Sequence, residues 1–191
     1  MLANGPRRDA DGVQRAALAP GSLSASSDDM STWPRLLITG GAGRLGRALS
    51  AAAAARGVPA RALSRQALDV TEPAQLEAVF SAVRPDIVIN AAARTAVDQC
   101  ESEPGLTFAV NAAGAAATAR AAHAIGAQCI HISTDYVFGD EGAEPHREED
   151  PPAPVNVYGA SKAEAEALVL AAPGEAMVVR ISLAIRAARR S

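Results

Sequence analysis

One lysine, Lys162, stands beside seventeen arginines in this 191-residue chain. Aromatic residues make up 3% of it, which leaves too few rings for a platform on which nucleic-acid bases stack. The net charge of −3 excludes the basic surface that a phosphate backbone requires. No run of about 18 apolar residues occurs, so no transmembrane helix is expected. The two cysteines, Cys100 and Cys129, form no CxxC pair and lie near no histidine cluster, which fits a reducing cytoplasm and a buried, apolar role for Cys129. The three histidines, His123, His131 and His146, lack ligand-like spacing, so no metal site is expected.

What remains is rich in alanine and alternates regularly. Residues 1–33 combine Arg, Asp, Ser, Ala and Gly without periodicity and read as a disordered tail. Arg7-Arg8 is followed by no apolar segment of the kind a secretory signal carries, and Met30 is a candidate natural start. Residues 34–183 read as one domain. Strands are expected at Leu36–Thr39, Val58–Leu63, Ala67–Val70, Asp86–Asn90, Gln128–Ser133 and Met177–Ile181. Helices are expected at Leu45–Arg56, from an N-cap at Thr71 to Val83, at Gly105–Ile125 and at Asn156–Leu170. Strands alternating with helices predict an α/β fold, a Rossmann-like doubly wound parallel sheet of strand order 3-2-1-4-5-6.

Glycines at Gly40, Gly43 and Gly46 follow the first strand and open the first helix. Their missing side chains permit a tight turn, close approach of a pyrophosphate and close helix–strand packing. The helix start adds unpaired N–H groups and a partial positive charge. The second strand ends at Ser64-Arg65, where an acidic partner for a ribose 2′-hydroxyl is usual. Arg65 suits a 2′-phosphate instead, so NADP(H) is favoured over NAD(H). Asp69 and Val70 either border the adenine or end a strand. Ala91, Ala92 and Ala93 leave room at the end of the fourth strand, where ligands of open α/β sheets bind.

Thr134 and Asp135 emerge from the fifth strand, and Tyr158 and Lys162 stand four residues apart on one helix face. An isolated tyrosine titrates near a pKa of about 10. A nearby ammonium lowers that value and makes the phenol a usable acid. Thr134 is placed to orient the phenol and a substrate carbonyl. Each pattern has a plainer alternative: an exposed arginine, a polar turn after a strand, a surface Tyr–Lys pair.

Together, GGAGRLG, DIVINAAARTAVDQCESEP, STDYVF and NVYGASK resemble the extended short-chain dehydrogenase/reductase superfamily, and within it the dTDP-4-dehydrorhamnose reductase family. The resemblance covers roughly residues 35–182. It implies reduction of a 4-keto nucleotide sugar by NAD(P)H. It implies that Gly43, Arg44 and Leu45 contact the cofactor pyrophosphate and that Ala91–Ala93 line the cofactor site. Tyr158 would donate the proton, Lys162 would bind the nicotinamide ribose, and Thr134 would complete the set. Thr134 and Asp135 would face the sugar, with Thr95 and Asp98 as further substrate-side candidates. Asn111 matches a family asparagine. The nucleotide sugar is the expected partner, with a homodimer as the assembly to test. Residues 184–191 depart from the family pattern, so an incomplete substrate region and impaired turnover are expected. The competing readings are a nucleotide-sugar epimerase or dehydratase, for which Asp135 would be the acid/base, and a non-enzymatic cofactor-binding regulatory subunit.

Overall fold

Short apolar runs separated by glycine turns and alanine-rich helices fold into a single parallel sheet. The computed structural model describes residues 34–139 and 145–182. The expected tail (1–33) and the divergent end (184–191) lie outside the described residues.

The strands are β1 (Leu36–Thr39), β2 (Ala60–Leu63), β3 (Ile87–Asn90), β4 (Gln128–Thr134) and β5 (Ala176–Ile181). Their order is β2-β1-β3-β4-β5, every pair parallel. The helices are α1 (Arg44–Ala55), α2 (Pro73–Val83), α3 (Val97–Ser102), α4 (Pro104–Phe108), α5 (Gly114–Ala124) and α6 (Val157–Leu170).

One face of the sheet carries the main core. Leu37, Leu63, Val88 and Cys129 point into it, against Leu76 and Phe80 of α2, Ala115, Ala119 and Ala122 of α5, and Ala165 and Val169 of α6. Alanine on the helices lets them approach the sheet closely, and the bulk comes from the strands. The opposite face holds Leu36, Ile38 and Ile89, which with Leu49, Ala52 and Ala53 of α1, its C-cap Arg56 and Val58 line an apolar groove.

Four expectations are corrected. Ala67–Val70 is not a strand. The amides of Ala67 and Leu68 both donate to Ser64 O, closing a turn, and Asp69 accepts from the Thr71 amide and hydroxyl. Leu68 and Val70 are nevertheless buried, so the alternation that suggested a strand is real but serves a turn. With that strand removed, the expected order of the remaining five is the observed one. Thr71 does not cap α2. Its hydroxyl is spent on Asp69, and the N-cap is Glu72, with Pro73 at the first helical position, where its missing N–H costs nothing. The long helix expected at Gly105–Ile125 is interrupted by a π-helical turn at Ala109–Ala113. The helix α3 falls where none was expected.

Candidate active site

The glycine turn joins β1 to α1 in the predicted manner. Gly40 has φ +67°, a left-handed conformation, and a Cβ there would lie 2.6 Å from Ala91 O. A Cβ on Gly46 would collide with Gly40 O, so α1 approaches the turn only because that position is bare. Gly43 is the N-cap of α1 and offers no side-chain cap, which leaves the helix's first N–H groups for another acceptor.

Beside this turn lies a cavity of about 200 Å³, lined by Gly40, Ala42, Gly43, Arg65, Leu68, Asp69, Val70, Ala91, Ala92, Ala93, Arg94 and Val110. The cofactor-side candidates Gly40, Gly43, Arg65, Asp69, Val70 and Ala91–Ala93 are therefore together. Arg44 is exposed and Leu45 half-buried at the start of α1, outside the lining, and Gly46 is packed beneath it. Arg65 Nε donates to Asp69 Oδ2 at 3.2 Å, so the two rim residues hold each other. Asp69 is kept below the usual carboxylate range, first by its hydrogen bonds from Thr71 and then by Arg65. Arg94 pairs with Glu103, yet its Nε is buried with no partner among the described residues. A bare glycine turn, uncapped helix N–H groups and an orphaned guanidinium donor fit a dianionic dinucleotide. Among the described residues, no three His, Cys, Asp or Glu side chains cluster as metal ligands would.

A second cluster of candidates, outside the lining of that cavity, stands on β4 and α6. Asn156 caps α6 by accepting from the Gly159 amide at 2.7 Å. Gly159 abuts Tyr136 O so closely that a Cβ would clash, which draws the helix against the loop after β4. Thr134 and Tyr158 meet there, and Tyr136 packs edge-on to the Tyr158 ring at 5.5 Å. Thr134 Oγ1 donates to Asp135 Oδ1 at 3.0 Å and accepts from the Tyr136 amide. Asp135 is exposed, as are Thr95 and Asp98, the latter in the first turn of α3. Among the described residues, no hydrogen bond joins Thr95 or Asp98 to Thr134 or Tyr158, although α3 packs against α6.

One expectation fails in an informative way. Lys162 does not lower the Tyr158 pKa in this geometry. Burial raises the phenol above its ordinary value, and the Thr134 hydroxyl only partly opposes this. The lysine is itself 2% exposed, so its nitrogen turns to buried acceptors. Nζ donates to Ile132 O at 2.6 Å and lies 2.8 Å from His131 Nε2. Burial lowers the Lys162 pKa to about 8, against the raising influence of Glu166. Glu166 accepts from Ser133 Oγ at 2.5 Å and from Arg180 at 2.7 Å, which ties α6 to β4 and β5.

Several participants escaped the sequence reading. His131 is fully buried and Asn90 is 1% exposed, and they lie 3.1 Å apart. Asn90 in turn accepts from Thr39 Oγ1 at 2.7 Å and from the Ala92 amide at 3.3 Å. Asn111, which the sequence marks only as a match to a family asparagine, lies in the π-helical turn, accepts from Arg94 N and donates to Arg94 O and Ser161 Oγ. It thereby pins the segment after β3 to α6. The available signal was a polar residue closing each apolar strand: Thr39 in LLIT, Asn90 in IVIN, His131 within QCIHIST.

The family model described as RmlD substrate binding domain matches residues 34–190. The chain is 45% identical to a dTDP-4-dehydrorhamnose reductase of Streptomyces griseus over 137 residues, covering 72% of this chain and 45% of that protein. It is 47% identical to the dTDP-4-dehydrorhamnose reductase of Mycobacterium tuberculosis over 150 residues, 76% of this chain and 49% of that one. The crystal structure of a Bacillus anthracis dTDP-4-dehydrorhamnose reductase in complex with NADP superposes with a TM-score of 0.77 at 37% identity, covering 81% of this chain and 55% of that one. The chain thus spans about half the length of the curated relatives it matches.

Proposed function

Because the chain belongs to the RmlD substrate binding domain family, we propose that it forms the dinucleotide-binding part, residues 34–183, of an NAD(P)H-dependent reductase acting on a 4-keto nucleotide sugar such as dTDP-4-dehydrorhamnose. The observation that carries this is the cavity bounded by Gly40, Gly43 and Ala91–Ala93 at the carboxyl ends of β1 and β3. That is where open α/β sheets bind dinucleotides. The bound nicotinamide supplies the hydride. Gly43, Arg44 and Leu45 present the start of α1 to the pyrophosphate. Arg65 sits at the rim with room for a 2′-phosphate, which favours NADP(H) over NAD(H), in keeping with the NADP bound to the Bacillus anthracis relative.

Tyr158 is the proton donor to the sugar oxygen. A raised pKa suits that task, since the phenol stays protonated at neutral pH until the oxygen develops charge. Lys162 is assigned to the nicotinamide ribose, and Thr134, whose hydroxyl bonds the phenol, orients Tyr158. Asp135, and more distantly Thr95 and Asp98, face the substrate side. The working compartment is the cytoplasm, and the assembly to test is a homodimer.

Fluorescence titration of the purified chain with NADPH and NADH tests the cofactor reading. NADPH should bind about tenfold more tightly, a difference near 1.4 kcal/mol. Arg65→Ala should remove the difference, and a preference for NADH overturns the role of Arg65. Tyr158→Phe should slow NADPH-dependent reduction of dTDP-4-dehydrorhamnose about 100-fold or more with NADPH affinity intact. An unchanged rate overturns the catalytic assignment. Conversion of UDP-sugars in preference to the dTDP-sugar would instead favour an epimerase or dehydratase working through Asp135.

A further inference from the structure

Three strands contribute one polar side chain each to a buried row. The sheet register sets Thr39 beside Asn90 and Asn90 beside His131. All three lie on the core face, and each is at most 1% exposed. Buried polar groups persist only when bonded, and here they bond to one another. Thr39 Oγ1 lies 2.7 Å from Asn90 Oδ1, the Asn90 amide nitrogen 3.1 Å from His131 Nδ1, and His131 Nε2 2.8 Å from Lys162 Nζ. The other end of the row reaches the cofactor cavity, because the Ala92 amide donates to both Thr39 Oγ1 and Asn90 Oδ1 at 3.3 Å.

A neutral imidazole has one N–H and one lone pair, so the row has two self-consistent states. With Lys162 charged, Nε2 accepts from the ammonium. Nδ1–H then donates to the Asn90 carbonyl, the Asn90 amide N–H turns to Thr39, and the Ala92 amide keeps Thr39 Oγ1 as its one acceptor. With Lys162 neutral, Nε2–H donates to the amine, Nδ1 accepts from the Asn90 amide nitrogen, and the Asn90 carbonyl accepts from Thr39.

We propose that His131 is a positioning residue for Lys162: oriented by Asn90, its imidazole fixes Nζ and exchanges tautomer as the lysine gains or loses its proton. The catalytic meaning of this rests on the role given to Lys162 above. Burial, with the neighbouring Lys162 charge, holds the imidazole down to a pKa of about 3, so it stays neutral over the range in which the lysine titrates. The other charged group acting on Nζ is Glu166, one turn on along α6 and tied to Arg180 of β5; Tyr158 precedes Lys162 by one turn of the same helix. Tyr158 itself is faced by Cys100 of α3 and by Asp135 and Tyr136 of the loop after β4.

The single lysine makes the test direct. Carbon-13 lysine labelling of the chain yields one side-chain signal, and nitrogen-15 histidine labelling yields three imidazoles. His131 should carry its proton on Nδ1 below the Lys162 midpoint and on Nε2 above it. An imidazole that keeps one tautomer through the lysine titration overturns the proposal, and this measurement needs no variant. In His131→Gln the amide reaches the Nε2 position and retains an acceptor for Nζ. In His131→Asn it reaches only the Nδ1 position and keeps the Asn90 contact. The Lys162 midpoint should stay near that of the native chain in His131→Gln and fall by about one pH unit in His131→Asn, because a hydrogen bond to the charged form is lost. Equal midpoints in the two variants overturn the proposal. None of these readouts depends on turnover. A Tyr158→Phe chain with unchanged reduction would refute the catalytic role of the site and leave the tautomer exchange standing.

Discussion

Two rows of side chains cross the same face of the sheet, two residues apart along the strands. They share burial but not chemistry. Leu37, Val88 and Cys129 form the first, at 0%, 0% and 2% exposure, and Thr39, Asn90 and His131 form the second, at 0%, 1% and 0%. The first row is apolar and rests on α2, α5 and α6, where burial stabilises each aliphatic side chain by about 1.5–3 kcal/mol. Equal burial costs the second row its hydration, and only the chain of hydrogen bonds offsets that. The polar row also lies at the carboxyl ends of the strands, where a parallel sheet presents its ligand site. One strand thus contributes to folding near its start and to chemistry at its end, and the boundary is a single step in the pleat.

At neutral pH the largest effect should come from the apolar row. Leu37→Ala should lower the unfolding free energy by about 3 kcal/mol in urea titrations. The Lys162 titration midpoint in the folded protein should stay unchanged, because the two rows do different work.

Removing the buried charge should act in the opposite sense. The folded pKa of Lys162, about 8, lies below its unfolded value of 10.5. The unfolded chain therefore binds more protons between these values, and stability rises with pH across that window. Below it the full cost of burying the charge is present. Lys162→Met should stabilise the fold by about 2 kcal/mol at neutral pH and abolish the rise between pH 8 and 10.5. Calorimetry across that range checks both, and a destabilised Met variant would show that the lysine's hydrogen bonds outweigh its desolvation.

His131 should dominate acid lability. Its folded pKa, about 3, lies below the ordinary 6.5, so stability falls as pH drops from 6.5 towards 3. The slope should approach about 1.4 kcal/mol per pH unit, the value for one proton. His131→Gln should flatten that slope in chemical denaturation series, and an unaltered slope would assign the lability to other groups.

The smallest effect belongs to the opposite sheet face, where α1 is the neighbouring helix along β1 and β2. Met177 there is 50% exposed. Met177→Ala should change stability by less than about 0.5 kcal/mol, within the usual range of surface substitutions.

Much of this was legible in the sequence, and the exceptions share a cause. The glycine turn follows from local spacing, which the chain carries in a few consecutive residues, and the parallel sheet follows from the alternation of strands with helices. The turn at Ala67–Val70 imitates a strand because Leu68 and Val70 alternate towards the core as strand residues do, while the bonds that make it a turn run to Ser64 O and the Asp69 side chain. The π-helical turn around Asn111 depends on partners at Arg94 and Ser161, seventeen and fifty positions away. Local spacing around His131 speaks only to metal ligation. The partners of His131 come from the register of three strands, 41 positions away at Asn90 and 31 at Lys162. Long-range pairing of this kind leaves no periodic signal, and so Lys162 was assigned to the phenol before it could be seen to hold the imidazole.

The central claim is that the glycine-turn cavity and the Tyr158–Lys162 helix are two halves of one nicotinamide site. The lone lysine signal, followed by NMR as NADPH is added, tests it without requiring turnover. It should shift saturably, with the same dissociation constant as the NADPH fluorescence titration. A lysine signal that stays unmoved while NADPH saturates the protein would contradict the account.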